Sequence, residues 1–578
     1  MFYSWLLALC ATAVLATPPR QATCRNIPGD PSWPKLPEWN RLNRTVNGRL
    51  IATVPISHVC HDPTYDEEAC NALRRDWGPP HVQLAAPAEF FAPWFLNQSC
   101  VPQTDRSRPC ELGNYAVYSI DVRSPQDAAA GMAFAQQHNI RLTIQNTGHD
   151  ITGKSSGLGS LSLWTHNLRN IQLIESYRSS YYNGPAVKVA AGVLGGDALE
   201  FATNHGYRLV GGNCPTVGVA GGFTQGGGYG PLTAMYGLSA DNVLEWEVVT
   251  ADGRLLVATP TKNRDLYYAL SGGGGGTYGV VMSMTTRLFP EEPVARASLT
   301  FNVSTAGSTD SYWNAIATFV DYIPSLVEKG LGLSFEIREE TFAVTNILAA
   351  DGTTSEELQD IIQPLLSGLS EVNGLPAESL GLDIVSMPTH YELYTTTGAV
   401  ANTSSPSSIG GHFFSRESVA ANAAGILDVL RLATQDNLFR VSCQAFDVRS
   451  PVRSRPVAEN GVTDSWRDNL FNCFFPTIWT WTNTNVDEHW SEVAGLQDRM
   501  MNVITPAVEA VSQGDGAYIN GVNHAQPNFQ DILYGHKYEH LRAIKRRYDP
   551  KDLFYAVTAV GSEVWSPDSS GRLCRRRV

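Results

Sequence analysis

Two motifs that perform different chemistry overlap between residues 148 and 157. Residues 148–155 read GHDITGKS and fit the phosphate-binding pattern G-x-x-x-x-G-K-[ST], while residues 153–157, GKSSG, fit the serine-nucleophile pattern G-x-S-x-G. Both motifs need a helix directly after Ser155, and the glycines at 157 and 159 disfavour one there. The segment therefore predicts a glycine turn whose backbone amides can meet an anionic group. A secreted serine hydrolase that uses Ser155 is the alternative.

The elements that position this turn can be assigned from the residue pattern. Residues 116–121 (AVYSID) and 140–145 (IRLTIQ) predict strands, and Ser124 followed by Pro125 predicts the start of a helix that ends near residue 138. Two further glycine-rich stretches lie at 211–230 and 271–279. Because glycine lets a backbone lie flat against a ligand, the three stretches together predict a long, flat, phosphate-bearing ligand.

The cysteines indicate the compartment of the protein. Residues 1–16 are a short apolar run that ends in small residues, which predicts a signal peptide and a secreted, extracellular protein. Removing this run with Cys10 leaves nine cysteines, an odd number for an oxidising compartment. Cys214 stands alone inside a glycine-rich stretch, so we expect it to have a role other than a disulfide.

The remaining eight cysteines are expected to be paired, although sequence does not fix their connectivity. The local choices are Cys60 with Cys70, Cys100 with Cys110, and Cys443 with Cys473, which leaves Cys24 with Cys574. Four N-x-[ST] triplets are compatible with a glycoprotein, and they begin at Asn43, Asn97, Asn302 and Asn402.

Charge and hydropathy exclude several classes of partner. The 578 residues carry a net charge of -14, which argues against binding to a nucleic acid backbone. No segment after the signal peptide is long and apolar enough to cross a bilayer, so no membrane partner is expected. We expect a monomer with a small-molecule substrate and no metal.

The glycine-rich stretches resemble the FAD-binding domain of the vanillyl-alcohol-oxidase superfamily, in its berberine-bridge-enzyme-like branch with secreted fungal members. The resemblance covers roughly residues 115–290 and 515–565. In that family the motif G-H-D/S-x-x-G-x-S carries a histidine joined to the flavin 8α-methyl, and C-P-T-V-G-V-x-G-G carries a cysteine joined to flavin C6. The matching residues here are His149 and Cys214. The resemblance therefore implies FAD attached through both residues.

The resemblance also implies an α+β fold with a two-part PCMH-type FAD-binding domain. We expect a disulfide-rich extension at 17–110, the first part of the FAD domain at 111–295 and an antiparallel-sheet substrate domain at 296–510. A C-terminal segment, 511–578, would complete the FAD domain. Within it, Tyr534, Tyr538, Leu541, Ile544 and Tyr548 fall at helical spacing and are expected to be core residues.

The candidate cofactor-binding residues are those at matching positions of the family motifs. Besides His149 and Cys214 they are Asn146, Thr147, Gly148, Asp150, Gly153, Ser155, Thr216, Val217, Gly218, Gly221, Gly222, Gln225, Gly228 and Val280. Relatives carry a histidine in G-V-G-G-H where this chain has Phe223, and Gln225 is the candidate replacement for the lost polar contact.

The catalytic candidates lie in the C-terminal segment. Tyr518 and Asn520 fit a Y-x-N strand motif that places a proton-removing tyrosine over the flavin in relatives, but Gly521 stands where those relatives have a second tyrosine. His524 is the substitute candidate for the base that alcohol oxidation needs.

The resemblance implies a secreted oxidase of a small alcohol, sugar or secondary metabolite, with hydride transfer to flavin N5 and reduction of O2 to H2O2. In the family, the residue three positions after the linked cysteine controls the access of oxygen, and the small Val217 stands there. Two alternatives keep the fold. One is a dehydrogenase with another electron acceptor, and the other is a non-catalytic binding glycoprotein.

Overall fold

The structure is a computed structural model that describes residues 24–77, 81–396, 409–449, 451–477 and 486–576. The predicted signal peptide at 1–16 and the triplet at Asn402 lie outside the described residues. Among the described residues, no helix combines the length and the apolarity that a bilayer crossing needs.

Twenty strands are described. In chain order they are β1 (Leu50–Ala52), β2 (Tyr118–Asp121), β3 (Leu142–Gln145), β4 (Leu161–Trp164), β5 (Ile171–Arg178), β6 (Asn183–Ala190), β7 (Tyr207–Arg208), β8 (Val243–Val249), β9 (Leu255–Ala258), β10 (Val280–Arg287), β11 (Phe289–Pro290), β12 (Val294–Asn302), β13 (Gly332–Ile337), β14 (Thr341–Ala349), β15 (Asp383–Met387), β16 (Ile409–Ser415), β17 (Val441–Ala445), β18 (Asn469–Pro476), β19 (Trp565–Pro567) and β20 (Leu573–Arg575).

The described α-helices connect and cover these strands. They span Leu36–Thr45, Glu67–Asp76, His81–Leu84, Pro125–Gln137, Gly195–Thr203, Thr233–Tyr236, Arg264–Leu270, Val303–Ala306, Thr309–Glu328, Ser355–Asn373, His390–Thr396, Arg416–Thr434, Ser465–Asp468, Val486–Arg499, Thr505–Val511, Phe529–Tyr534 and Tyr538–Tyr548.

Two sheets carry the glycine turns. The first has the order β1-β2-β4-β3, in which β4 runs parallel to both β2 and β3. The predicted helix between β2 and β3 is confirmed, because the Ser124 hydroxyl accepts a bond from the Asp127 amide and Pro125 occupies the first turn. The second sheet, β5-β6-β10-β8-β9, is antiparallel throughout.

The third large sheet is antiparallel, with the order β15-β12-β14-β13-β17-β18-β16, and confirms the sheet predicted in this part of the chain. Alternate residues of β13 and β17 point into a core under the helices 309–328, 355–373 and 416–434, whereas Ser334, Glu336, Ser442 and Gln444 face the other way. The sheet therefore presents a polar face to the rest of the protein.

The C-terminal segment returns to the first sheet, where Phe554 forms a parallel bridge with Leu142. A buried ion pair of Lys545 and Asp549, 2.6 Å apart, fixes this return. The Lys545 ammonium also donates to the Thr277 carbonyl, and Asp549 accepts from the amides of residues 553 and 554. The pair therefore joins the segment to the third glycine stretch.

The five apolar residues expected in the C-terminal helix are all buried, as predicted. One detail of that prediction is wrong, because Tyr534 ends a separate helix, 529–534, and does not share the helix 538–548. Gly535, with a φ of +54°, breaks the chain direction between the two helices.

The four predicted disulfides are all present, namely Cys24–Cys574, Cys60–Cys70, Cys100–Cys110 and Cys443–Cys473. Cys443 and Cys473 are direct partners in the register of β17 and β18. Cys214 is the free cysteine of the described chain, as expected.

The N-terminal extension is anchored beside the first glycine turn by the buried Glu89. Its carboxylate accepts from the Ile56 amide at 2.9 Å and the Tyr115 hydroxyl at 3.1 Å, and its carbonyl accepts from Gln145. A Cβ on Gly148 would lie 2.7 Å from that carbonyl oxygen. Burial raises the pKa of Glu89 from 4.5 to about 7.

Glu89 predicts a pH dependence of stability. Its raised pKa means that the unfolded chain loses this proton first, so the free energy of unfolding falls as the pH rises from 4.5 to about 7. The full loss is about 3 kcal/mol at most. The amide of Glu89→Gln has nearly the same shape but does not titrate. The melting temperature of this variant should therefore fall less than that of the parent between pH 4.5 and about 7. Equal pH dependence in both proteins, measured by circular dichroism, would contradict the prediction.

Candidate functional site

A cavity of about 1150 Å³ lies between the glycine turns, the polar face of the large sheet, the N-terminal extension and the C-terminal segment. Its walls draw on residues from Arg74 to Tyr555. Residues of all three glycine-rich segments line it, namely 147–155, 212–225 and 275–279. Its volume is large enough for an extended cofactor together with a substrate.

His149 and Cys214 meet in the wall of this cavity although 65 residues separate them. The Cys214 sulfur lies 3.8 Å from His149 Nε2, and the Thr216 hydroxyl lies 2.6 Å from the same nitrogen. Because Thr216 occupies Nε2, Nδ1 is the ring nitrogen left to bond a ligand. Phe91 packs against the imidazole, with ring centroids 4.1 Å apart.

Burial lowers the pKa of His149 to about 3. The imidazole is therefore neutral at physiological pH and keeps a nitrogen lone pair. A neutral imidazole beside a free thiol is a pair of nucleophiles at one place in the cavity wall.

The glycine turns leave an unpaired acceptor beside the cavity. Asn146 donates from Nδ2 to the Ala191 carbonyl at 2.6 Å and to Thr165, while its Oδ1 is buried without a partner in the described structure. A Cβ on Gly218 would lie 1.9 Å from this oxygen, so the backbone must be glycine there. An unpaired acceptor and a cradle free of side chains fit a flat group that carries N–H donors, such as a flavin.

Asp150 organises the turn that follows His149. Its carboxylate accepts from the amides of Thr152 and Ser155 and from the Ser155 hydroxyl, at 2.8 Å for the hydroxyl. Gly153 has a φ of +75°, which only glycine adopts easily. The Ser155 hydroxyl is thus engaged within its own turn. No helix follows at 156–160, as predicted from the sequence.

Most of the sequence-predicted cofactor residues come together in this cavity. Those that line it are Asn146, Thr147, Gly148, His149, Asp150, Ser155, Cys214, Val217, Gly218, Gly221, Gly222 and Gln225. Four others are not among the residues that line it, namely Gly153, Thr216, Gly228 and Val280. Val280 packs in the core of the first sheet, and its neighbour Val281 faces the cavity instead.

Gln225 holds two glycine stretches together. Its carbonyl accepts from the amides of Gly272, at 3.0 Å, and Gly274, at 2.8 Å, while its side chain donates to the Ala220 carbonyl. Phe223 also lines the cavity, and its ring lies 3.0 Å from the Cβ position of Gly212.

The C-terminal candidates are only partly brought to the cavity. Tyr518 and Asn520 line it, and Asn520 donates to the Tyr518 hydroxyl at 2.9 Å and to the Gly222 carbonyl at 2.8 Å. Burial raises the pKa of Tyr518 to about 12. His524 is not among the residues of the cavity wall, and its ring packs edge-on against Phe95.

Lys154 is a cavity residue that the sequence analysis missed. Its ammonium donates to the Ile519 carbonyl at 2.7 Å, and burial lowers its pKa to about 8. The signal for this residue was the lysine of the phosphate-binding pattern, which predicts contact with a phosphate. In the structure, the side chain contacts the carbonyl of Ile519, next to Tyr518. The face of the large sheet adds further residues that were missed, namely Arg338, Arg440, Ser442, Gln444 and Phe474. Alternating polar residues at 334–338 and 440–444, along and just beyond β13 and β17, were the signal for the first four; Phe474 lies on β18 and had none.

Comparisons with known proteins agree with this arrangement. Residues 118–259 match the FAD binding domain family, and residues 517–561 match the berberine and berberine-like family. The VAO-type flavoprotein oxidase VAO615 of Thermothelomyces thermophilus is 39% identical, over 98% of each chain.

Solved structures give the same result. The crystal structure of the VAO-type flavoprotein MtVAO615 from Myceliophthora thermophila C1 has a TM-score of 0.90 at 38% identity, over 96% of this chain and 100% of that one. The glucooligosaccharide oxidase of Acremonium strictum, with a 6-S-cysteinyl, 8α-N1-histidyl FAD, shares the fold at 19% identity and a TM-score of 0.62, over 77% and 92% of the two chains. The predicted α+β fold is thereby confirmed. The chain belongs to the family of VAO-type, berberine-like FAD-linked oxidoreductases and is an FAD-dependent enzyme that acts on a small molecule.

Proposed function

We propose that this protein is a secreted oxidase that carries FAD on both His149 and Cys214, oxidises an alcohol group of a small molecule and reduces O2 to H2O2. The convergence of a neutral imidazole and the free cysteine, 3.8 Å apart in the wall of one large cavity, carries the proposal. The four disulfides support secretion, because they persist in oxidising compartments. The A. strictum oxidase offers a precedent for the double attachment in this fold.

Each attachment is chemically balanced. His149 Nδ1 and Cys214 Sγ would hold the flavin, and each bond to a flavin carbon would replace one hydrogen on that carbon and one proton on the protein atom. The two electrons and two protons released by each bond would be balanced by reduction of one O2 to H2O2. The Thr216 hydroxyl contacts Nε2 of His149 at 2.6 Å, which leaves Nδ1 as the nitrogen for attachment.

When bound, FAD accepts a hydride from the substrate carbon and passes two electrons to the acceptor. The protein must remove the hydroxyl proton of the substrate. Tyr518 is the proposed group, since it lines the cavity and its oxygen is oriented by Asn520. Lys154 donates to the Ile519 carbonyl and so holds this segment against the His149 turn.

Oxygen must also reach the cavity beside Cys214. Val217 lines the cavity three residues after that cysteine, and its carbonyl is held by the Gly195 amide at 2.8 Å. A short branched side chain at this position leaves more room than leucine in a close-packed wall. This favours an oxidase over a dehydrogenase with another acceptor.

Covalent attachment predicts that the yellow colour stays with the polypeptide after unfolding in acid. His149→Ala and Cys214→Ala should each keep one bond, and the double variant should release all its FAD. His524→Ala changes a partly exposed histidine outside the cavity wall, so this variant is the control and should keep both bonds. Release of free FAD from the unmodified protein, detected by gel filtration in denaturant, would rule out the attachment.

Tyr518→Phe should slow the anaerobic reduction of the flavin about a hundredfold if the hydroxyl removes the substrate proton. Because burial raises the pKa of Tyr518 to about 12, the rate in the unmodified enzyme should rise with pH between 6 and 10, whereas the variant should lose this rise. Tyr229→Phe changes a neighbouring tyrosine, with ring centroids 5.2 Å away, and is the control. Stopped-flow absorbance gives both rates, and equal rates for Tyr518→Phe and the parent would assign proton removal elsewhere.

Val217→Leu should slow the reoxidation of reduced enzyme by on the order of tenfold. The added methylene narrows the path of oxygen, and a tenfold slower rate corresponds to an activation free energy higher by about 1.4 kcal/mol. Reduction by substrate should change little, and Val217→Ala should reoxidise at least as fast as the parent. Mixing reduced enzyme with aerated buffer measures this step. Slow reoxidation of the unmodified enzyme, with rapid turnover on quinones, would identify a dehydrogenase.

A further inference from the structure

We propose that Arg338 and Arg440 form a recognition site for a carboxylate, so that the substrate is an aromatic or conjugated acid that carries an oxidisable alcohol. This inference rests on the proposed oxidase function and names its substrate class. It is argued from the position of the two arginines, their charge and the apolar walls opposite them.

The register of the large sheet places the two arginines side by side. Glu336 pairs with Ser442 and Ile337 pairs with Val441, so the next opposed positions are Arg338 and Arg440. Both side chains line the cavity. Like charges at opposed positions destabilise a sheet, so an anion between the two guanidinium groups is favourable.

The two arginines share a single carboxylate. Glu336 Oε1 accepts from Arg338 Nε at 2.7 Å, and its Oε2 lies 3.6 Å from a terminal nitrogen of Arg440. Within the described residues, neither terminal nitrogen of Arg338 donates a hydrogen bond. The arginine side chains are 40% and 42% exposed, so a ligand in the cavity can reach them. A guanidinium fork matches a carboxylate with two parallel bonds.

The charge of the cavity wall favours an anion. The described wall contains the four cationic side chains of Arg74, Lys154, Arg338 and Arg440. They face the carboxylate of Asp150 in the wall and that of Glu336, which contacts both sheet arginines, so cations exceed carboxylates by two. The whole chain, by contrast, has a net charge of -14. Backbone amides of the glycine turns suit the cofactor pyrophosphate, which leaves the arginines of the sheet for the substrate.

The space next to the arginines suits a flat ring. Ser442 pairs with Phe474, and Phe474 lies 6.4 Å from Tyr518 between ring centroids. Arg440 is two residues along the same face from Ser442, a distance of about 7 Å. An acid group on Arg440 therefore places an aromatic ring beside Phe474 and its alcohol near Tyr518.

The reaction that follows is balanced by the cofactor and oxygen. An alcohol R–CH2–OH loses a hydride from carbon and a proton from oxygen, and becomes the aldehyde R–CHO. The hydride and proton are delivered to O2, through the FAD that the family binds, as H2O2. The carboxylate on the arginines takes no part in the chemistry.

The first arm of the test measures binding of benzoate to the oxidised holoenzyme, by the change in flavin absorbance and by calorimetry. Arg338→Gln and Arg440→Gln should each weaken binding about tenfold, and the double variant should weaken it about a hundredfold. Arg431→Gln is the matched control, because this arginine is 43% exposed and pairs with Asp310 in the same domain. Melting curves of all variants report whether each is folded.

The second arm compares 4-(hydroxymethyl)benzoate with 4-(hydroxymethyl)benzamide, which has the same shape without the charge. The parent should reduce its flavin with the acid at far lower concentration than with the amide. The double variant should treat the two alike, with the amide unchanged. Lysine at both positions should retain part of the preference, because charge remains without the fork.

The outcomes separate this inference from the oxidase function. Benzoate that fails to bind the parent, or that binds the folded double variant as tightly as the parent, overturns the anion site. Arginine-dependent binding of benzoate without flavin reduction by any alcohol upholds the anion site and removes the oxidase function.

Discussion

The buried ion pair of Lys545 and Asp549 holds together the walls on which the site depends. Both side chains are almost fully excluded from solvent. Each charge is compensated by the other and by hydrogen bonds to four carbonyl and amide groups of residues 277, 553 and 554. Removing either partner would leave an uncompensated charge in the core. Through this pair, the third glycine stretch, the first sheet and the C-terminal segment take one fixed arrangement.

Within that frame, short polar contacts bring distant segments to the same chamber. Lys154 reaches the Ile519 carbonyl, and Asn520 reaches the Gly222 carbonyl. These two bonds place the tyrosine segment between the first and second glycine turns. The turns themselves need glycine because neighbouring backbone and side-chain atoms occupy the positions of the missing Cβ atoms, as at Gly148 and Gly218.

Local signals in the sequence predicted several elements and the three disulfides between nearby cysteines, and Cys24 with Cys574 was the pair that remained. Ser124 is a favourable N-cap and Pro125 is favoured in the first turn, so these two residues predict the start of a helix by themselves. The Cys60–Cys70 disulfide closes only a short loop. By contrast, the Ile519 carbonyl that accepts from Lys154 lies 365 residues further along the chain, and no local pattern predicts such a contact. His524 looked suitable by type alone, and its packing on Phe95 depends on the N-terminal extension. The opposed arginines of the sheet required the register of β13 and β17, which hydrophobic alternation cannot supply.

The span of the cavity walls, from Arg74 to Tyr555, has a consequence for the biogenesis of the enzyme. A ribosome that has released only the first two hundred residues has made His149 but neither Cys214 nor the closing C-terminal segment. No partial product contains a complete binding chamber, so cofactor loading follows translation. For a secreted chain, loading then takes place inside the secretory pathway, where the disulfides form. If the chain is secreted, FAD must therefore reach that compartment before the chain can become active.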